Sequence, residues 1–347
     1  MTDHEMNPIR RTVSRRWVLH GLLAGGALAL TGGVALVGGG RRSAFAGTRA
    51  MMGTTATILV AGRRPADASK AEAAVAAAFD RMEHVSCLMT RFAADSDIGR
   101  VNAQPERAVP VDALTARVVA AGLAYARASD GAFDPALDRL STLWGFHGGV
   151  PPRTLPAPPL LAPWWGGGLH RSVALGDAAG RPTLRLAHRE IGLDLGGIAK
   201  GFAVDEGVAE LRRWGIRDAI VEAGGDLYAL GHDPTGSPWP VGVRHPRDPR
   251  RLLATLRLSD EAAATSGDYE HTVTVAGRRF GHLIDPRTAW PAAWLHSATV
   301  RAESAMAADA LATAACATPP ARLPALLRRL EARGWLAMDV GGNTLQG

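Results

Sequence analysis

The chain is poor in cysteine: Cys87 and Cys316 are the only two in 347 residues. Two cannot build a disulfide framework or a CxxC-type metal or redox site. Each falls in an apolar helix-like pattern, so the pair reads as buried free thiols, or as a single bridge in an oxidising compartment. Aromatic residues are few, at 5%, and no unit repeats with a period of 20 to 50 residues, which argues against a solenoid. Charge of one sign is lacking as well. The formal net charge is +6, but the first 46 residues carry six Arg against Asp3 and Glu5, so the rest is close to neutral and shows no footprint for nucleic acid. What is present, 47% apolar and 21% charged residues, is the balance of a folded body long enough for one large domain or two smaller ones.

The amino terminus accounts for the basic excess. "SRRWVLHGLLAGGALALTGGVALVGGGRRSAFAG" sets Arg15 and Arg16 before a weakly apolar run and ends in "AFA" before Gly47. It resembles a twin-arginine export signal cleaved after Ala46. The alternative is a transmembrane anchor, since Trp17 to Gly40 is long enough to cross a bilayer. Eight glycines in that run disfavour a stable spanning helix. No cysteine lies near the cleavage site, which excludes a lipoprotein anchor. The expectation is a signal over residues 1–46 and one working domain over 47–347, periplasmic, touching the membrane only through the signal if it stays uncleaved.

Beyond the signal, "TTATILVAG" reads as a strand, and "SKAEAAVAAAFDRMEHVSCLMTRF" as an amphipathic helix with Val75, Phe79, Met82 and Met89 at helical spacing. "DALTARVVAAGLAYARAS" predicts a second helix with Leu114, Val118, Ala121 and Tyr125 on its stripe and Gly131 just past its end. "PPRTLPAPPLLAPWWGGG" is too proline-rich for a regular element and reads as a surface loop or a connection between lobes. Short alternating runs follow, among them "SVALGD", "TLRLAH", "IGLDLG", "AIVEAGGDLYALG" and "SATVRA". Helices after Gly197 and at "ESAMAADALATAACA" interrupt them. This order argues for an α+β body with a mostly antiparallel sheet and packed helices.

Three stretches carry chemistry. In "EIGLDLGGIAKGF", Ile191, Leu193 and Leu195 share one face, leaving Asp194 on the other. Gly196 and Gly197 let the backbone turn close to a ligand, the next helix opens with free N–H groups that favour an anion, and Lys200 adds a cation. The plainer reading is a solvated strand-to-helix turn. The spacing is neither G-x-x-x-x-G-K-[ST] nor G-x-G-x-x-G. In "SAMAADALATAA", Asp309 and Thr313 lie four apart on one face of an Ala-rich helix, a pair that suits a hard cation such as Mg²⁺ or, alternatively, local backbone hydrogen bonds. In "TSGDYEHTVTVAGRRFGHLIDPRT", Thr265, Ser266, His282 and Asp285 surround a hairpin-like pair of runs. His282 has the titration range of a base, and Asp285 before Pro286 suits a turn.

"MMGTTATI", "LMTRFAADSDIGRVN", "DGAFDPAL", "LWGF", "LDLGGIAKGFAVD", "VEAGGDLYALG", "TSGDYEHTV", "HLIDPRT" and "ADALATA" occur in the order and approximate spacing of the ApbE family of FAD:protein FMN transferases. The chain after the signal resembles that family throughout. The resemblance implies an ApbE-like, T-fold-like body. It also implies an Mg²⁺-dependent enzyme that attacks the FAD pyrophosphate with a threonine hydroxyl of an acceptor flavoprotein, leaves FMN on it as a phosphoester and releases AMP. By the same resemblance Met52, Trp144, Gly145, Phe146, Asp194, Lys200 and Ile284 contact FAD, with the aromatics offering flat surface to its rings. Asp309 and Thr313 with the carbonyls of Gly197 and Ala312 hold the metal, and His282, or else Asp285, is the base. The implied acceptor is an exported protein with a [DS]-G-A-[ST]-like motif, for instance an FMN-binding domain of a membrane redox complex.

The chain departs from the family pattern at Ala289, where PRTG is usual, at Glu222, where Asn is usual before "AGGD", at Gly281 before His282, and in the Pro-rich stretch. "DGAF" at Asp130 comes nearest the acceptor motif but ends in Phe133, so the chain is not expected to be its own substrate. Two other readings stand beside transfer: an FAD pyrophosphatase with water as attacker, and a non-catalytic exported flavin carrier.

Overall fold

The computed structural model describes residues 44–61, 68–146 and 150–347, together with two short backbone strands at Ala27–Ala29 and Val34–Val37. Arg15, Arg16 and most of the expected export signal lie outside the described residues.

Eight strands form one antiparallel sheet whose spatial order follows the chain. They are β1 (Ala44–Met51), β2 (Thr54–Ala61), β3 (Ala219–Ala223), β4 (Asp226–Leu230), β5 (Glu261–Gly267), β6 (Leu295–Ala302), β7 (Gly334–Asp339) and β8 (Thr344–Gln346). The expected α+β architecture with an antiparallel sheet is what the chain adopts. Cleavage after Ala46 would fall inside β1, where Ala46 pairs with Leu59 and Gly47 with Ile58, and would leave the strand from Gly47 onward.

Helices cover one face: α1 (Ala68–Met89), α2 (Ala113–Ala128), α3 (Ala199–Arg213) and α4 (Ala305–Cys316). α3 packs on β3 and β4, α4 on β4, β5 and β6, and the two helices lie against each other. Among the described residues no helix is long and apolar enough to cross a membrane. The opposite sheet face is covered by the hairpin Trp239–His245/Asp248–Leu258, which encloses a small second core of Ile220, Leu227, Ala229, Trp239, Val241, Leu258 and Ala263.

Four expectations need correction. On α2 the buried face runs through Thr115, Val118, Val119, Gly122, Leu123 and Ala126, while Leu114, Ala121 and Tyr125 are only partly covered. Apolar residues surround this Ala-rich helix, so periodicity alone does not choose the stripe. "IGLDLG" is not a ladder strand; its one bridge is Leu137 with Gly192. The buried Asn102 side chain replaces a neighbouring strand, accepting from the Leu193 N–H at 2.7 Å and donating to its carbonyl at 2.8 Å. Cys87 is exposed on α1, whereas Cys316 is buried as expected, and the two are not bridged. The Pro-rich stretch, expected to hold no regular element, forms a short α-helix at Pro158–Leu161 and a 3-10 turn at Ala162–Trp164; as expected it runs over the surface, pinned by buried Leu161 and by Trp164, whose indole N–H donates to the Glu190 carbonyl.

Candidate active site

One end of the sheet gathers the polar residues. Two tight turns lie side by side there, Met52–Gly53 between β1 and β2 and Gly224–Gly225 between β3 and β4, all four residues with positive φ. Two-residue hairpins of this hand need left-handed backbone at both positions, which glycine adopts at no steric cost. The β3–β4 turn delivers Asp226 onto the helix-covered face, in step with Tyr228 and Leu230 in the main core. Ser266 on β5 reaches the same face, its hydroxyl 3.4 Å from the Thr313 hydroxyl.

The segment leading into α3 approaches α4 closely at two glycines one turn apart. A Cβ at Gly197 would lie 2.9 Å from Thr313 Oγ1, and one at Gly201 would lie 2.1 Å from the Ala305 carbonyl oxygen. The glycines therefore serve helix contact first. They bring Asp309 to the Gly201 N–H, which donates to its Oδ2 at 3.1 Å. The start of α4 is fixed by Asp205, whose two carboxylate oxygens accept from the Ala305 and Met306 N–H groups at 2.8 and 2.9 Å.

Lys200 is the hub of this arrangement. Its Nζ lies 2.7 Å from Asp226 Oδ2, 3.5 Å from each Asp309 oxygen and 3.4 Å from the Gly196 carbonyl. Burial acts to discharge the amine, but the carboxylates of Asp226 and Asp309 outweigh it and hold the ammonium well above its ordinary range. Two more carboxyls surround the hub. Burial pushes fully enclosed Glu222 up to about 8, against the Gly225 N–H it accepts and the charges of Lys200 and Arg244. Burial likewise raises Glu270 to about 7, with Lys200 pulling down and Asp309 pushing up. Glu222 Oε2, Asp268 Oδ1, Tyr269 Oη and Glu270 Oε1 are buried without a hydrogen-bond partner among the described residues. Such a concentration of unsatisfied polar atoms marks this end of the sheet as built for a polar ligand.

The donor set suits a hard divalent cation. Asp309 supplies a carboxylate, Thr313 a hydroxyl one helical turn on, and the Gly197 main chain stands against Thr313; Ala312 is buried on the same helix. Among the described residues no cluster of three or more His, Cys, Asp or Glu is arranged to hold a metal. A cation with one carboxylate, a hydroxyl and carbonyl oxygens completes its shell with phosphate oxygens and water, as Mg²⁺ does.

The family model for the ApbE family matches residues 52–335. The chain belongs to the ApbE family. It is 34% identical over 233 residues to an FAD:protein FMN transferase of Rhodobacter capsulatus, a match covering 67% of this chain and 44% of the relative. It is 32% identical over 240 residues to the enzyme of the same name from Haemophilus influenzae, covering 67% of this chain and 68% of the relative. The crystal structure of an ApbE protein from Thermotoga maritima superposes with a TM-score of 0.76 at 30% identity, covering 88% of this chain and 97% of that one.

Against the ApbE pattern, the structure brings together Gly197, Lys200, Asp309, Ala312 and Thr313, as well as the Met52 turn through its neighbour Thr54, which abuts Gly224. Asp194 spends Oδ1 on the Gly196 N–H at 2.9 Å, while Oδ2 lies 3.9 Å from Arg91. Trp144 corrects the expectation of an open aromatic surface. Its ring is fully buried between Phe280 and Trp290, and its N–H donates to the Ala289 carbonyl, so it builds the wall rather than the floor. Phe146 and Ile284 are buried beside it, and Gly145 turns there with φ +79°. Asp285 is held in a two-pronged pair by Arg287 at 2.8 and 3.0 Å, and its Oδ1 also accepts the Arg287 N–H, so one guanidinium engages both oxygens. His282 ends the hairpin Thr272–Val275/Arg278–Gly281, edge-on to His271 at 5.3 Å.

Asp226 and Glu270 stand at the candidate site and Asp205 fixes the start of α4, and none of the three is singled out by the sequence alone. "AGGD" was the available signal for Asp226: two turn glycines followed by an acid repeat the "LGG" theme. Glu270 had none.

Proposed function

We infer that this chain is an FAD:protein FMN transferase, and propose that it is an exported, Mg²⁺-dependent enzyme that transfers FMN from FAD to a threonine of an acceptor flavoprotein. The observation that carries the reading is the convergence of Lys200, Asp309, Thr313 and the Gly196–Gly197 turn on one point at the end of the sheet. A pyrophosphate is a polyanion, and a fixed ammonium beside hard oxygen donors for a divalent cation is what its charge requires.

In this reading Asp194, Gly145, Phe146, Ile284 and the Met52 turn hold FAD, and Trp144 supports them from behind. Asp309, Thr313 and the Gly197 and Ala312 carbonyls hold Mg²⁺, which when bound neutralises pyrophosphate oxygens. Lys200 adds a second positive charge beside them. His282 accepts the proton of the acceptor threonine on a ring nitrogen as the threonine oxygen forms its bond to the FMN phosphorus. The anhydride bond breaks, and its bridging oxygen and electron pair leave with AMP. Phosphoryl transfer of this kind needs position and charge compensation more than a protein nucleophile. The acceptor is an exported protein with a [DS]-G-A-[ST]-like motif, such as an FMN-binding domain of a membrane redox complex, and the enzyme works in the periplasm.

The test is incubation with FAD, Mg²⁺ and such an acceptor domain, followed by intact mass of the acceptor. A gain of one FMN supports transfer. Free FMN and AMP with unmodified acceptor would instead make water the attacker.

A further inference from the structure

Lys200 sits between two carboxylates but treats them unequally. Its Nζ makes a direct charge-assisted contact with Asp226 Oδ2 at 2.7 Å and stands back at 3.5 Å from both oxygens of Asp309. Contacts between an ammonium and a carboxylate are about 2.7–2.9 Å when formed. Attraction falls only as the inverse of distance, so at equal dielectric the pull of an oxygen at 3.5 Å is still about three-quarters of that at 2.7 Å. What keeps the ammonium off Asp309 is therefore the bond to Asp226. Asp226 is well placed to hold it: 2% exposed, the first residue after the Gly224–Gly225 turn, and paired in β4 with Ala223 on one side and Ala264 on the other.

We propose that Asp226 is a positioning residue for the cation site: by anchoring the Lys200 ammonium it keeps that ammonium from closing on Asp309 and leaves the Asp309 carboxylate open to a divalent cation. This rests on the metal reading above. The direct ammonium contact goes to Asp226, so the carboxylate whose oxygens stay out of direct contact is that of Asp309, beside the Thr313 hydroxyl and the Gly197 main chain. Without the Asp226 charge, the four-carbon stem of Lys200 lets the ammonium swing the short remaining way onto Asp309, where it competes with the metal. Lys200 is thereby kept available for a phosphate oxygen, its own proposed task.

The experiment is Mn²⁺ binding to the mature chain without flavin, followed by electron paramagnetic resonance and calorimetry, with circular dichroism to show that each variant is folded. Asp309→Ala tests the metal reading itself; if it binds as wild type does, that reading falls and this inference with it. Asp226→Asn, which keeps shape and removes charge, is expected to weaken Mn²⁺ binding roughly 10–100-fold, the range for residues that orient metal ligands. Lys200→Met alone is expected to bind at least as tightly as wild type, since the competitor is gone. The double variant Asp226→Asn/Lys200→Met is expected to return close to the wild-type affinity. A merely structural role for Asp226 would not give that rescue. Wild-type affinity in Asp226→Asn, weakened binding in Lys200→Met, or a double variant as weak as Asp226→Asn would each overturn the proposal; the last would make Asp226 a ligand in its own right.

Discussion

Gly201 on α3 and Ala305 at the start of α4 approach so closely that a Cβ on residue 201 would meet the Ala305 carbonyl oxygen at 2.1 Å. The obstacle is backbone, anchored by the Asp205 cap, and cannot move aside alone. Gly201→Ala is therefore expected to cost about 1–3 kcal/mol, the usual range for overpacking. It also pushes the Gly201 N–H away from Asp309, so flavin transfer should fall with stability. Urea denaturation and the transfer assay on the same preparation check both; a variant as stable and active as wild type would show that the two helices slide freely.

Asp285 gives a contrasting expectation, because its two oxygens are already committed to Arg287. Removing one partner of a largely buried pair strands the other charge. Asp285→Asn is expected to lower stability by about 1–3 kcal/mol, reduced from the fully buried range because the Arg287 side chain is 29% exposed. The pH dependence of the remaining activity should keep its wild-type shape. A lost acidic limb with unchanged stability would restore Asp285 as a base.

Much of this site could be read from sequence because its parts are local motifs: Asp309 and Thr313 share a helix face by spacing alone, and two glycines beside Lys200 announce a close approach. Asp226 could not be read that way. Its partner Lys200 is 26 residues away and Asp309 is 109 residues from Lys200, so only the crossing of α3, α4 and β4 joins them. The strand order was legible as a class but not as a plan. The sheet runs in chain sequence, yet "IGLDLG" alternates like its strands while standing outside it, tied by the Asn102 side chain and by backbone bonds to Pro135 and Asp138. The surroundings of Trp144 and Asp285 are illegible for one reason: sequence names a side chain's chemistry but not which neighbours engage it.

Glu222 supplies a pH prediction. Its folded value of about 8 lies above the ordinary 4.5, so the folded protein binds a proton that the unfolded chain releases. Stability from this group is full below about 4.5 and is lost as pH rises through about 8. Glu222→Gln keeps an oxygen for the Gly225 N–H and cannot ionise. The melting temperature of the variant, measured from pH 5 to 8, should fall less steeply than that of wild type. Parallel curves would show that Glu222 is not held neutral.

Thr313 allows the cation reading to be tested without changing any charge. Its hydroxyl faces Gly197 and lies 3.4 Å from Ser266 Oγ, one turn beyond Asp309. Thr313→Val keeps the branched shape that packs against Gly197 and removes only the oxygen; Thr313→Ser keeps the oxygen and removes the methyl. If the hydroxyl is a metal donor, the valine variant needs at least roughly tenfold more Mg²⁺ for half-maximal transfer, in line with the loss expected when a metal site is perturbed, while serine stays near wild type. If it serves packing alone, the order reverses: valine is tolerated and serine, which opens a methyl-sized gap against Gly197, is the weaker protein. Magnesium titrations of the transfer rate for both variants, beside their melting curves, separate these outcomes because one moves the metal requirement and the other moves only stability.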